Sequence, residues 1–204
     1  MSQGPPQSVA ITGAIASGKS RCARYLGHRF GLTLINADAI GRTLILPGGA
    51  AYNQLQALLP KTFFHADGTI DRRRLRAAIF TDNGLRQRLE RLLHPLIRHA
   101  VHQRLSAATS PCVVEVPLLF EVGWRADFDH VVVVYACAGQ RLRRLRQRDQ
   151  LCEEDAQAAL AAQNEPSLES KALAADHVID NSGPWAATVL ELHRLAKTLG
   201  FVAT

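Results

Sequence analysis

Val9-Ala10-Ile11-Thr12-Gly13-Ala14-Ile15-Ala16-Ser17-Gly18-Lys19-Ser20 is the stretch that decides how this chain folds. A short apolar run enters Gly13. Four residues follow, and Gly18-Lys19-Ser20 open a segment whose apolar residues, Cys22, Ala23, Leu26 and Phe30, recur at helical spacing. Strand, glycine-bounded loop and helix appear in the order of the G-x-x-x-x-G-K-[ST] phosphate loop. Each part has its own physical job. Backbone N–H groups of the loop form a nest for anionic oxygens. The helix N-terminus adds unpaired donors and the positive end of a dipole. Lys19 reaches the β- and γ-phosphates, and the Ser20 hydroxyl holds Mg²⁺. The nucleotide-binding stretch is therefore Gly13, Ala14, Ile15, Ala16, Ser17, Gly18, Lys19, Ser20 and the following Arg21.

Working outward, further strand candidates alternate with helical patterns. Ser8–Thr12 is the first, followed by Leu32–Asn36, Cys112–Val116, His130–Tyr135 and His177–Asp180. Short β-branched runs of this kind suit strands buried on both faces of a parallel sheet. The class is α/β with right-handed crossovers. Two interruptions break the alternation. From about Tyr52 to Ala108 the chain reads as almost wholly helical, with Leu85, Leu89, Leu92, Leu93, Leu96, Ile97, Val101 and Leu105 on one apolar face. His94-Pro95 is expected to break that run, with Pro95 opening a new helix. Phe64–Gly68 reads as a turn, and Asp71 as the N-cap of a helix over Arg72–Phe80. This block is too long for one crossover helix and forms an inserted subdomain suited to a second substrate. The second interruption, Gln140–Gln163, is arginine-rich and helical with a turn at Leu151–Glu154, as a flap over bound phosphates would be. The boundaries follow: a core of about 8–50, 110–138 and 175–204, a helical subdomain of about 52–108, and a lid of about 140–165.

The 204 residues carry a net charge of +6 and four scattered cysteines (Cys22, Cys112, Cys137, Cys152), with no C-x-x-C pair. The cysteines read as reduced, mostly packed thiols. Arginine clusters at Arg72–Arg76 and Arg141–Arg148 suit small anionic substrates, since no zinc-finger spacing or RNA-binding signature accompanies them. No nucleic-acid or membrane partner is expected. Apolar runs long enough to span a bilayer are absent, Met1–Gln7 lacks a signal-peptide pattern, and a cytoplasmic monomer is the expectation.

Three groups can carry chemistry. Asp38, just past the second strand candidate, can orient an acceptor hydroxyl and take its proton, or can merely cap the next helix. Glu115 ends a strand and can hold Mg²⁺ through water, or serve as a structural acid. Arg144 and Arg148 stand four apart on one helix face and can meet one anion, or face solvent. The trio His94, His99 and His102 does not share one face, so a metal site there is not expected.

Taken in order, several segments closely resemble dephospho-coenzyme A kinase. They are Thr12-Gly13 through Ser20; Asn36-Ala37-Asp38 with Arg42; Pro47-Gly48; and Asp67-Gly68-Thr69-Ile70-Asp71-Arg72 with Leu75 and Phe80. His94-Pro95-Leu96-Ile97 and Val116-Pro117-Leu118-Leu119-Phe120-Glu121 are the more specific ones. Arg144, Arg148-Asp149, Gln163, Ala175-Asp176, Val178-Ile179 and Asn181 complete the likeness. The resemblance implies a P-loop NTPase-type three-layer fold with a five-stranded parallel sheet, an inserted helical substrate subdomain and a helical lid. It implies that ATP, with Mg²⁺, phosphorylates the ribose 3′-hydroxyl of dephospho-coenzyme A to give coenzyme A and ADP. On it, Asp38 becomes the base, Arg144 and Arg148 belong to the lid, and Arg72, Leu75, His94, Pro117 and Leu118 lie on the substrate side. Another P-loop kinase, for a nucleoside or nucleotide, is the alternative, and a nucleic-acid-binding ATPase a more distant one. Ala14 and Ala16 replace common glycines, with strain expected wherever φ is positive. Asn36 replaces a frequent aspartate, Arg141 a glutamine and Ala159 a lid arginine.

Overall fold

The computed structural model describes residues 7–162 and 166–203, except for the side chain of Phe80. Gln163 of the family likeness therefore lies outside the described residues. Five strands form one all-parallel sheet: β1 (Ser8–Thr12), β2 (Thr33–Asn36), β3 (Cys112–Glu115), β4 (His130–Tyr135) and β5 (His177–Asp180), in the order β2-β3-β1-β4-β5. Every residue of β1 and β3 is buried, as are the four central valines of β4, whereas the edge strands β2 and β5 are half exposed. Continuous Val/Ile runs belong in strands covered on both faces, because no position in them needs to meet water.

The chain divides into two compact units, Met1–Asn36 with Ala107–Thr204, and Ala37–Ser106. In the first, helix α1 (Lys19–Phe30) places Cys22, Ala23, Leu26 and Phe30 on one face of the sheet, as the spacing predicts. The last helix, Trp185–Thr198, adds Leu192, Leu195 and Ala196 to that face. On the opposite face, the helix Leu168–Leu173 puts Leu168 against Val133 and Ala14. The expected strand start at Leu32 shifts to Thr33. Gly31 adopts a left-handed φ of 64° to end α1, and the Leu32 N–H returns to the Gly27 carbonyl at 3.1 Å.

The second unit contains α2 (Ala37–Leu44), α3 (Tyr52–Leu58), α4 (Arg72–Thr81) and most of α5 (Asn83–Ala107). It thus begins at Ala37 rather than near Tyr52. Asp71 caps α4 as anticipated, accepting the Arg74 N–H at 2.9 Å. The Tyr52 hydroxyl donates to the Gly68 carbonyl at 2.6 Å and fixes the turn before it. The break expected at His94-Pro95 does not occur: α5 runs unbroken with Pro95 inside it. A mid-helix proline costs about 3 kcal/mol by removing a donor and crowding the preceding turn. Leu85 and Leu89 before it and Val101 after it are buried. Each such side chain contributes about 1.5–3 kcal/mol, so packing outweighs the local penalty.

After Ala107 the first unit resumes, and two helices follow β4: α6 (Ala138–Asp149) and α7 (Glu153–Ala161). Gln150 turns the chain between them at a left-handed φ of 53°. The helices Leu168–Leu173 and Trp185–Thr198 are then α8 and α9. All four cysteines are free. Cys22 and Cys112 are buried, and burial pushes the Cys22 thiol up to about 12. Cys137 and Cys152 are exposed at the N-caps of α6 and α7, which corrects the expectation of mostly packed thiols. No helix among the described residues is long and apolar enough to cross a membrane.

Asp129 ties the start of β1 to the start of β4, accepting from the Ser8 N–H at 2.7 Å and the Ser8 hydroxyl at 2.8 Å. These bonds hold its carboxyl below the usual carboxylate range, the backbone donor contributing most. A depressed folded pKa stabilises the fold above the unfolded value of about 4, and that gain is lost as pH falls through the folded value. Asp129→Asn is expected to cost about 1 kcal/mol at pH 7, the exposed setting screening the rest. Urea unfolding should show the wild-type advantage shrinking below about pH 4.

Candidate active site

The loop from Gly13 to Gly18 joins the buried end of β1 to α1, and its backbone is unusual at three points. Gly13 has φ 148°, Ala16 φ 60° and Gly18 φ 97°. A Cβ on Gly13 would come within 2.5 Å of the Val134 carbonyl oxygen. One on Gly18 would come within 2.1 Å of the Asn181 side-chain nitrogen. Only glycine fits at either position. Of the two alanines in doubt, Ala16 alone takes a left-handed φ, at a cost of about 1 kcal/mol. Ala14 is buried against the α8 side of the sheet with Val133 and Leu168. Gly18 offers α1 no side-chain cap, so the N-terminal amides of this helix are not occupied by their own cap residue. The Arg21 guanidinium stacks over the Trp185 ring, 3.8 Å from its centre.

At the carboxyl ends of the neighbouring strands, Glu115 connects the loop to the sheet. It is 5% exposed and lies level with Ile11 of β1 and Asn36 of β2. One carboxylate oxygen accepts the Ser20 hydroxyl and the other accepts the Asn36 amide at 2.6 Å. The departure at Asn36 has a physical reason here. A second carboxylate at that distance from Glu115 would repel it, whereas the amide nitrogen donates. With its proton given to Glu115, the Ser20 hydroxyl keeps lone pairs for a cation. A serine hydroxyl beside a buried carboxylate is an all-oxygen donor set, which suits a hard divalent ion such as Mg²⁺.

Arg144 and Arg148 do not converge on one point. Arg144 donates to the Asn181 carbonyl at 2.7 Å and to the Ser17 carbonyl at 3.3 Å, beneath the loop. Arg148 forks onto Asp149 at 2.7 and 2.8 Å. Four-residue spacing puts the two on one helix face, but long guanidinium stems then follow whichever acceptors lie nearest. Arg141, where a glutamine was usual, spends its Nε–H on the Ala136 carbonyl at 3.1 Å. Ala159 lies within α7.

Asp38 sits in the first turn of α2 with its side chain exposed. A carboxylate there also meets the positive end of the α2 dipole. Leu75 and His94 line one apolar cavity of about 260 Å³ within the second unit, together with Ile45, Leu55, Ile79 and Leu93. Arg72 is exposed at the start of α4. The Pro117 carbonyl accepts the Thr12 hydroxyl at 3.2 Å, and Leu118 is exposed beside it. Sequence reasoning assigned no role to Asn181, Thr188 or Trp185. Asn181 could have been found, because it follows directly on the carboxyl end of a parallel strand, where ligands bind in such sheets.

Comparison with known proteins agrees with this geometry. Residues 7–186 match the family model described as dephospho-CoA kinase. A dephospho-CoA kinase of Anaeromyxobacter dehalogenans is 38% identical over 195 residues, covering 94% of this chain and 91% of the relative. Among solved structures, a Thermus thermophilus protein superposes with a TM-score of 0.81 at 29% identity, covering 96% of this chain and 99% of its own. Dephospho-CoA kinase from Campylobacter jejuni superposes with a TM-score of 0.68 at 28% identity, covering 94% and 96%. A glycine-bounded loop at the head of a five-stranded parallel sheet, with a serine held by a strand-terminal acid, is shared equipment among phosphoryl-transfer enzymes. The match along nearly the whole chain narrows it: this chain belongs to the dephospho-CoA kinase family, whose members are phosphotransferases that use ATP and an alcohol acceptor.

Proposed function

We propose that the chain transfers the γ-phosphoryl group of ATP to the ribose 3′-hydroxyl of dephospho-coenzyme A, giving coenzyme A and ADP. The observation that carries this is the Gly13–Ser20 loop, tied through Ser20 and Glu115 to the sheet, in a chain of this family. Phosphoryl transfer asks little covalent chemistry of the protein. Its work is positioning and charge stabilisation. The loop amides and Lys19 hold the phosphate chain. Ser20, with Glu115 through water, would hold Mg²⁺, which when bound neutralises charge on the β- and γ-oxygens.

Asp38 is the proposed base. It follows Asn36 by two residues in the chain, and the Asn36 side chain is anchored on Glu115. Its exposed carboxylate accepts the 3′-hydroxyl proton as the new O–P bond forms and the bond to the β-phosphate oxygen breaks. The helices α6 and α7 act as the lid. Arg148 reaches the phosphates by releasing Asp149. That exposed pair is worth about 0–1 kcal/mol, less than a charge-assisted bond to phosphate. Arg144 acts lower down, under the loop. On the acceptor side, the cavity lined by Leu75 and His94 suits the long amide-containing arm of the substrate, with Arg72 available to its diphosphate. The family likeness assigns Pro117 and Leu118 to the acceptor substrate as well.

Turnover with ATP and Mg²⁺ separates this from a nucleoside or nucleotide kinase. Dephospho-coenzyme A is expected to yield ADP at a kcat/KM at least about a hundredfold above adenosine or nucleoside monophosphates. Absence of product with dephospho-coenzyme A overturns the reading. Asp38→Asn is expected to keep ATP affinity within about twofold while kcat falls about a hundredfold or more. Near-normal kcat excludes Asp38 as the base. Lys19→Ala should cut kcat/KM for ATP by about a hundredfold or more, measured under the same conditions.

A further inference from the structure

Asn181 is 4% exposed, and its polar atoms are committed on every side. Its N–H donates to the Tyr135 carbonyl at 2.8 Å, and its own carbonyl accepts from Arg144 at 2.7 Å. The side-chain nitrogen donates to the Ser17 carbonyl at 2.7 Å, and the side-chain oxygen accepts the Thr188 hydroxyl at 3.0 Å. The amide cannot turn round. A carbonyl only accepts, so the nitrogen must face Ser17, and the fully buried Thr188 occupies the oxygen's side.

Ser17 is bonded to Gly18 by a peptide that would otherwise turn easily, because glycine at φ 97° tolerates either direction. In a trans peptide the C=O and the next N–H point opposite ways. Holding the Ser17 carbonyl toward Asn181 therefore aims the Gly18 N–H away from Asn181. That N–H is one of the donors at the entrance of α1, where the loop meets anionic oxygens.

We infer that Asn181, held by Thr188, is a positioning residue for phosphate binding. It fixes the Ser17–Gly18 peptide so that the Gly18 N–H stays directed at the nucleotide's phosphate chain. Arg144 grips the same carbonyl from α6. This rests on Gly13–Ser20 being the ATP phosphate site, and it deepens that reading by naming what sets the direction of one donor.

Direct titration of the full chain with ADP and with adenosine tests it, and needs no acceptor substrate. A failed dephospho-coenzyme A assay therefore leaves this result standing on its own. Asn181→Ala is expected to weaken ADP by about tenfold, the scale of one lost buried hydrogen bond, and adenosine by less than about twofold. Thr188→Val should move ADP in the same direction by about threefold, and Thr188→Ser, which restores the hydroxyl, should recover wild-type affinity. Equal weakening of ADP and adenosine overturns the inference, because a loosened fold or a nucleoside contact affects both. Unchanged ADP affinity in Asn181→Ala overturns it as well. Should Asn181→Ala fail to fold, the Thr188→Val and Thr188→Ser pair decides on the same two ligands: no loss in the first, or no recovery in the second, overturns it.

Discussion

The Ser17–Gly18 peptide has one orientation available while Asn181 and Arg144 hold its carbonyl at 2.7 and 3.3 Å. A loop that is to collect anionic oxygens must turn its amides inward and send its carbonyls somewhere else. Each outward carbonyl then needs a donor, since a buried unpaired one costs about 1–3 kcal/mol. Here the donors come from the ends of elements far along the chain. The steric fit agrees with the hydrogen bonding: a side chain at Gly18 would strike the Asn181 nitrogen, and one at Gly13 the Val134 carbonyl. The loop is thus clamped from beneath by β4, β5 and α6, while α1 leaves from its far side.

The parallel sheet is what makes such a clamp available. All five strands run the same way, so their carboxyl ends meet at one edge. Gly13, Glu115 and Asn181 each follow or end a strand there. Parallel strands with continuous apolar runs need cover on both faces, and α1 with α9 on one side and α8 on the other supply part of it. The buried Lys171 ammonium donates to the Glu121 carboxylate at 2.5 Å and links α8 to the segment after Pro117. Removing Glu121 would leave the Lys171 charge buried without its partner, so the segment is tied to α8 by electrostatics as well as packing.

Much of this was legible in the residues. The five strands, the helical faces of α1 and α5 and the Asp71 cap are local patterns, set by a period of two or 3.6 residues or by a single hydrogen bond three residues on. The loop's identity was legible for the same reason, because its glycines, lysine and serine sit within eight positions. Where local rules were set against burial, burial won. Pro95 lies inside a continuous helix because the leucines and valine around it pack in spite of it. Ala16 takes a left-handed φ because the loop must close there, while Ala14, equally suspect in the sequence, does not.

Residue order by itself determined the α/β class, the phosphate loop and the family, since these are written in short-range pattern and in the succession of segments. Tertiary structure alone decided what holds the loop. Ser17 and Asn181 are 164 positions apart, and Ser20 and Glu115 are 95 apart. No period or spacing encodes such a pairing. It arises when separate strands are laid side by side and their ends brought to one edge, and only then does a side chain such as Arg144 or Arg148 find the acceptors it will hold.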